Sequence, residues 1–361
     1  MSVTINGSTG VSLVQDGVIV TADMATSVPL GAKNRIINGN MAIDQRNAGA
    51  AVVNNGHAVD RMFSERSGAV GAISSQRVTD APTGFLNSMK VTASTGTGVL
   101  ASGDFSVISQ HIEGNIIADL DFGKATARSI TVSFWVKATT IGVYSCTLYN
   151  SGASRINPQP FTINTTVTWE KKTITFSGDV TGTWLTDTGR GITLNIYTAL
   201  GTNYQGTAGW NTTGIYGVTG STNAFVTTGN TFAITGVQLE EGSTATAFEH
   251  RMYGQELSLC QRYYQTYPAP PLRGVVLNST QCNRMAMSLP VVMRAAPTVV
   301  LGNSSVYDGG ATPQITGQAG NYTTSTVLEM DLSFSGGGLT ALRPAMVFQS
   351  GSIPFTLSSE P

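Results

Sequence analysis

The sequence is poor in charge: Asp, Glu, Lys and Arg together make up 11% of it, well under the roughly 25% of an average soluble domain. Helical enzymes coat their outer faces with Glu, Lys and Arg, so this scarcity argues against that class. The balance of signs is flat as well, with a net charge of −1. No basic field that would draw nucleic acid or an anionic membrane follows from it. Lysine does not occur beyond Lys172. Nowhere do about 18 apolar residues stand together, so the sequence predicts no membrane insertion by a helix. Cysteine is limited to Cys146, Cys260 and Cys282. That odd number, without CxxC or Cys/His spacing, predicts buried thiols in place of a disulfide framework or a zinc site. The opening residues, MSVTINGSTGVSL, carry neither a positive n-region nor an apolar h-region, which predicts no secretory leader.

Catalytic signatures are missing too. There is no GxSxG, no HExxH and no P-loop. Asp187-Thr-Gly-Arg-Gly191 bears glycines but lacks the strand–loop–helix context of a phosphate cradle, so it reads as a tight turn. His57, His111 and His250 stand far apart, with no Cys or His beside them, and are expected to be structural. No regular period of the kind found in β-helices is present.

What replaces the charge is Thr, Ser, Asn and Gly, with glycine alone at 41. Glycine marks turns and threonine suits a pleated, half-exposed surface. With 361 residues, 41% of them hydrophobic, the chain can bury more than one core. The expected fold class is all-β: a jelly-roll-like β-sandwich followed by one short helix and a smaller C-terminal β domain. Residues 1–32 read as short β pieces too small to hold a core alone. Residues 33–54 form a hairpin or linker, with short strands on either side of the Asn38-Gly39 turn. Asp44, Gln45 and Arg46 would tie that hairpin to the body behind it.

The strand-and-turn rhythm is sustained over 55–252. In Ser129–Val136 the residues Ile130, Val132, Phe134 and Val136 fall on one face, with Thr131, Ser133 and Trp135 on the other. Trp169–Phe176 repeats the idea with Ile174 and Phe176 inward, and Ile192–Tyr197 is a third such strand. Between Thr231 and Leu239 the phase slips at Gly236, as a β-bulge requires. Over 253–271 the residues Leu257, Cys260, Tyr264 and Tyr267 recur at heptad-like spacing, which predicts a helix ended by Pro268, Pro270 and Pro271. Such a stripe could pack on a neighbouring domain or meet symmetry mates, so these four are the candidate oligomer contacts. Residues 272–361 return to strands divided by Gly309-Gly310 and Gly336-Gly337-Gly338.

Four blocks together resemble the tail fibre and related appendage proteins of tailed bacteriophages. They are NRIINGNMAIDQRNAG (Asn34 to Gly49), FAITGVQLEEGSTATAFEHR (Phe232 to Arg251), GQELSLCQRYYQTY (Gly254 to Tyr267) and SLPVVMRAAPTVVL (Ser288 to Leu301). They are short but bracket nearly the whole chain, and they come in the order such proteins use. The stretch between them resembles the jelly rolls of carbohydrate-binding modules. The resemblance implies a virion component, usually homotrimeric. It would be joined to other virion proteins at one end, here the segment 1–32, and would contact the host surface at the other. The expected partner there is host cell-surface polysaccharide or lipopolysaccharide. Assembly in a reducing host cytoplasm agrees with the sparse cysteine.

The residues suited to sugar binding are aromatic, because a pyranose ring presents an apolar face on which an indole or phenol can stack. Trp135 and Trp169 lie on the polar faces of their strands. Trp184, Tyr204, Trp210 and Tyr216 fall in loops rich in Gly, Thr and Asn, where side chains reach solvent. Core or interface packing is the commoner use of any one such ring, and both readings stay open. Two carboxylate pairs bear on an alternative role as a polysaccharide depolymerase, since glycoside hydrolysis uses paired acids. Asp119 and Asp121 are expected on one strand face, and Glu240 and Glu241 at the turn after the bulged strand. A further alternative is a head, collar or baseplate decoration without glycan binding. The expectation is a non-enzymatic protein with no cofactor and no metal-ligand set, although a structural calcium ion is compatible with a jelly roll.

Overall fold

The computed structural model describes residues 33–68, 70–150, 152, 154–212, 214–268, 270–351 and 353–361. The expected virion-anchoring segment, 1–32, lies outside the described residues. The first strands are Val52–Val53 (β1), Gly56–Val59 (β2), Met62–Ser67 (β3), Ile73–Val78 (β4), Ser88–Ala93 (β5) and Phe105–Glu113 (β6). A single helical turn, Gly114–Ile117 (α1), leads on to Ile130–Ala138 (β7), Gly142–Asn150 (β8), Arg155–Ile163 (β9) and Glu170–Phe176 (β10). Arg190–Leu200 (β11), Gln205–Gly206 (β12), Gly217–Val218 (β13) and Thr231–Glu241 (β14) complete this part.

These strands make two packed six-stranded sheets, in the orders β1-β4-β5-β14-β7-β10 and β2-β3-β6-β11-β8-β9. Neighbours distant in sequence pair antiparallel, which gives the sandwich its jelly-roll-like character. The inward set of β7, Ile130, Val132, Phe134 and Val136, is fully buried. It shares one core with Cys146, Leu148, Leu194 and Ile196 from the other sheet. In β14 the pairing with β7 slips between Thr235 and Gln238, and Gly236 takes φ +63°. Bulging there turns Phe232, Ile234, Val237 and Leu239 all into the interior, as the phase slip predicts.

Residues 34–43 are not the expected hairpin. They form no strand, and they are core: Ile36 and Met41 are wholly buried in the sandwich interior. Amide side chains take the place of a partner strand. Asn34 Oδ1 accepts from the Leu239 and Ile36 N–H groups, both at 3.0 Å. Gln110 accepts from the Ile37 N–H and donates to the Ile37 carbonyl, both at 2.8 Å. Asn38, at φ +60°, accepts from Ile43 N–H at 2.9 Å and donates to the Ile43 and Asp60 carbonyls at 2.8 Å. The segment therefore satisfies its backbone with partners from distant parts of the chain, without a ladder. Gln45 does reach back to Asp60, as expected of that polar tail.

The helix Tyr253–Gln261 (α2) is shorter than its heptad stripe predicts. Tyr264–Tyr267 is a strand (β15), paired with Phe355–Ser358 (β23). The available partner strand outweighs the helical spacing of so short a segment. The four candidate oligomer contacts also make contacts within their own chain. Leu257 packs against Ile37, Ile43, Cys260 and Tyr263, and Cys260 is fully buried. Tyr264 lies under the Arg46 guanidinium at 3.7 Å, and Tyr267 meets Phe355 edge-on at 6.4 Å.

The C-terminal domain adds Arg273–Asn278 (β16), Gln281–Ser288 (β17), Thr298–Val300 (β18), Ser304–Tyr307 (β19), Ile315–Asn321 (β20), Val327–Phe334 (β21) and Pro344–Gln349 (β22). A six-stranded sheet, β19-β22-β16-β17-β21-β20, and a three-stranded sheet, β15-β23-β18, share a second core around Val276, Met330, Leu332 and Leu357. Three backbone N–H groups, from Ala311, Thr340 and Gly310, hold the Asp308 carboxyl down at about 2. All three cysteines are buried thiols without a disulfide, as expected.

The two cores are joined through buried charge. The Arg262 guanidinium grips both oxygens of Glu113 at 2.7 Å, and the Tyr263 hydroxyl donates to the same carboxylate. Burial alone would raise the Glu113 pKa, but these donors hold it below the ordinary value. Glu113→Gln leaves the guanidinium without its counter-charge and is expected to cost about 3 kcal/mol. Calorimetry should then show the C-terminal domain unfolding ahead of the sandwich, where the native chain unfolds in one step.

Candidate functional site

A concavity lies on the outer face of the sheet β2-β3-β6-β11-β8-β9, and strand alternation builds its floor. In β11 the residues Ile192, Leu194 and Ile196 go to the core, so Thr193, Asn195 and Tyr197 point outward. Register sets them beside His111, Ser109 and Val107 of β6 in turn. Phe63 and Glu65 of β3 continue two of those rows, next to Ser109 and Val107. Tyr149 of β8 extends the row of Thr193 on the other side. The groove encloses about 310 Å³.

Its upper wall comes from the loop around the 3-10 turn Thr202–Tyr204 and the strands β12 and β13. The Tyr216 N–H donates to the Tyr204 carbonyl at 2.8 Å, which sets the two rings 4.8 Å apart. Tyr216 stacks on Tyr197 at 5.7 Å with the planes 10° apart. Phe105 meets Tyr204 and Tyr216 edge-on, at 5.9 and 6.4 Å. Rings that pack against one another in this way are pre-positioned, so little rotamer freedom remains to be lost on binding.

The lower end is charged. The C-terminal tail returns across the sheet, and Glu360 is held by Arg46 at 2.7 Å and by Arg61, with His57 at 3.6 Å. From the other side Arg190 donates to the Pro361 carbonyl at 3.0 Å, and Arg294 to the Ser359 carbonyl at 2.7 Å. His57, Arg61, Phe63, Ser109 and His111 line this end together with Glu360 and Pro361.

Burial lowers His57 to about 4 and His111 to about 3, so both imidazoles are neutral at neutral pH. His111 shares a hydrogen bond with Thr193 at 2.9 Å. Burial raises the Tyr197 and Tyr216 phenols and the Glu65 carboxyl. The phenols therefore remain hydrogen-bond donors. Among the described residues, the side chains of Ser109 and Asn195 and the hydroxyls of Tyr149, Tyr197, Tyr204 and Tyr216 make no hydrogen bond to protein. An apolar platform beside unclaimed donors and acceptors suits a polyhydroxylated ring.

The six aromatic candidates separate into three places. Tyr204 and Tyr216 come together in the groove. Trp184 and Trp210 form a packed plug with Phe122, at 4.8 and 6.1 Å from its ring, and lean on the sandwich core. Their indole N–H groups donate to the Thr181 and Ser177 carbonyls. Trp135 is on the opposite sheet, in β7, whereas Trp169, expected to open its strand, lies in the loop just before β10. Trp135 sits between Lys171 and Thr235 in register, and Trp169 donates to Asp80 at 3.3 Å. Tyr149, Tyr197, Phe63 and Phe105 were not singled out by the sequence. The signal was there for Tyr197, which ends the outward set of a strand already legible as such.

The four carboxylates considered for hydrolysis are not gathered. Asp119 and Asp121 are not on a strand: a 3-10 turn, Ala118–Leu120, carries the first, and Asp121 follows at φ +54°. Asp119 pairs with Arg35, and Asp121 with Lys124 at 2.6 Å. Glu240 is buried, accepting from Gln238 at 2.8 Å and Thr246 at 2.9 Å, while Glu241 pairs with Arg128 at 2.7 Å. Asp187 accepts from the Gly189 N–H at 2.8 Å, the tight turn expected there. Among the described residues no three His, Cys, Asp or Glu side chains are placed to hold a metal ion. Nor is any helix there long and apolar enough to cross a membrane.

No family model matches the chain, and no curated protein matches it in sequence. Solved structures align with parts of the chain at low identity and low TM-score. The enzymatically active domain of tailspike protein 4 from bacteriophage CBA120 is 13% identical with a TM-score of 0.30, covering 58% of this chain and 21% of that one. A family 11 carbohydrate-binding module of a Clostridium thermocellum cellulosomal cellulase is 14% identical, with a TM-score of 0.29, over 57% of this chain and all of the module. A xylan-binding domain from Paenibacillus barcinonensis is 12% identical, with a TM-score of 0.25, over 55% and 99%. The chain thus spans about a fifth of the tailspike structure and the full length of the small modules.

The two histidines have a measurable consequence. Between about pH 6.5 and 4 the unfolded chain takes up protons that the folded chain refuses at His57, and His111 extends the window to about 3. Stability should be full above pH 6.5 and fall as the pH drops through that window. Denaturant titrations should show the fall, with a shallower slope in His111→Gln than in the native chain.

Proposed function

We propose that this chain is a non-enzymatic virion appendage of a tailed bacteriophage that attaches the particle to glycans on the host surface. The observation that carries the reading is the groove: stacked, pre-positioned tyrosines beside a floor of unclaimed polar side chains. A sugar ring lays its apolar face on Tyr204 and Tyr216, while Asn195, Ser109 and the phenol hydroxyls reach its hydroxyls. Pockets of this kind combine an apolar body with a few convergent polar groups. The four sequence blocks that resemble tail fibre proteins support the virion setting. Homotrimeric assembly and attachment to other virion proteins through 1–32 belong to the same proposal, as does assembly in the host cytoplasm.

Binding without hydrolysis is favoured by the acids along the groove. Among the described residues Glu65 is the one carboxylate lining its main part, whereas hydrolysis ordinarily uses two facing acids. Glu360, at the lower end, is already committed to ion pairs.

Two substitutions separate the groove from the plug. Tyr216→Ala should weaken binding to host-cell polysaccharide by about tenfold or more, since anchor rings at a binding site carry over 1 kcal/mol each. Its thermal midpoint should fall as well, because Tyr216 packs on Phe105, Tyr197 and Tyr204, so binding is compared at a temperature where both proteins are folded. Trp184→Ala should lower stability by about 2 kcal/mol through lost packing and leave binding unchanged. Equal binding by Tyr216→Ala and the native chain would remove the groove from consideration. Antibody labelling of intact particles, with the mass of the purified protein in solution, tests the virion and trimer parts.

A further inference from the structure

The groove runs along β6 and β11, and one of its ends is built by a different part of the chain. From Phe105 to His111 the strand rises about 20 Å. At the Phe105 end the wall is a loop of the sandwich itself. At the His111 end it is the tail of the C-terminal domain, which lies crosswise. Glu360 is bound to Arg61 and His57, on the β2–β3 side of the sheet. Pro361 is bound through its carbonyl to Arg190, where β11 begins. In the sheet order β2-β3-β6-β11 those partners stand on either side of β6. A tail fastened to both must pass over β6, near the rows that pair His111 with Thr193 and Glu113 with Arg190. Glu360 and Pro361 indeed line the cavity at that end, together with His111, Ser109 and Phe63.

A groove open at both ends admits the interior of a long polysaccharide, which simply continues past the last contact. A groove with a wall across its axis does not, because the next sugar would collide with the wall. We propose that the groove receives a terminus of a saccharide chain, and that Glu360 and Pro361 form the wall that selects it. The ligand class is the terminal few residues of a host-surface glycan, not its repeating interior. This rests on the groove being a glycan site. It adds which part of the glycan is read, and it makes the C-terminal domain a contributor to specificity.

The wall is firmly held. Arg46 adds a second ion pair to Glu360, and its guanidinium is fixed over the Tyr264 ring. Arg294, on the C-terminal domain, donates to the Ser359 and Glu360 carbonyls. The position of the wall therefore follows the docking of one domain on the other, not the conformation of a free tail.

The test uses the full chain and a panel of bacterial O-antigen and capsular oligosaccharides, from disaccharides to octasaccharides. Each is coupled to the surface twice, once through its reducing end and once through its non-reducing end. Native protein should bind one of the two sets, with the other weaker by about tenfold or more. Glu360→Ala should admit the disfavoured set and narrow the gap to about twofold. Because this change leaves Arg61 without its carboxylate, Glu360→Gln, which keeps the volume and loses the charge, is measured beside it with the melting temperature of both. Equal binding of the two sets by the native protein overturns the end-reading proposal and leaves the groove as a glycan site. Binding of neither set, together with no effect of Tyr216→Ala on whole polysaccharide, overturns both.

Discussion

The structure depends on how it meets one constraint: backbone N–H and C=O groups taken out of water must find partners. Residues 34–43 run through the heart of the molecule without belonging to a sheet. Their backbone is held by Asn34, Asn38 and Gln110, short amides able to donate and accept at once. The bulge at Gly236 is the other half of this arrangement. It releases the Val237 N–H from the regular ladder, and that group donates to the Gly39 carbonyl at 2.9 Å. A Cβ on Gly39 would stand 2.1 Å from the Val237 carbonyl oxygen, so only glycine permits the approach. Ile36 and Met41 can then enter the main core, while Ile37 and Ile43 turn to α2.

From this joint the rest follows in steps. Glu256 of α2 accepts the Asn38 N–H, and Arg251 donates to the Asn34 and Ile36 carbonyls, so the helix is set against the sandwich. Directly after the helix come Arg262 and Tyr263, which grip Glu113 at the end of β6. Those contacts start β15 in the right place for β23 to pair with it, and β23 delivers Glu360 to its arginines. Seating of the buried segment, docking of the second domain and the lower boundary of the groove form one mechanical sequence.

Much of the fold was legible because strand alternation is a local signal. The inward faces of β7, β10 and β11 and the slip at Gly236 could be read from consecutive residues. Residues 34–43 could not, because their polarity suggested a surface and its explanation lies far off, in Gln110, Val237 and Glu256. The helix was overdrawn for a similar reason: β15 exists because β23, some ninety residues on, pairs with it. In the groove, Tyr204 and Tyr216 stood out as loop aromatics. Tyr149 and Phe63 did not, since their meeting requires the β2-β3-β6-β11-β8 order, which no local pattern encodes. Trp184 and Trp210 looked equally suitable and proved to fill space beside Phe122.

The close approach of Gly39 to the bulge has a bearing on modularity. Chains built from two β domains invite exchange of one for another by recombination. Here the seam is not a linker: 34–43, the bulge and α2 interlock, and they come from three separated stretches of the chain. A crossover that splits them would strand buried amides with no counterpart. Viable chimeras must inherit all three from one parent, or place their breakpoints inside the sandwich loops, where the lock is left whole.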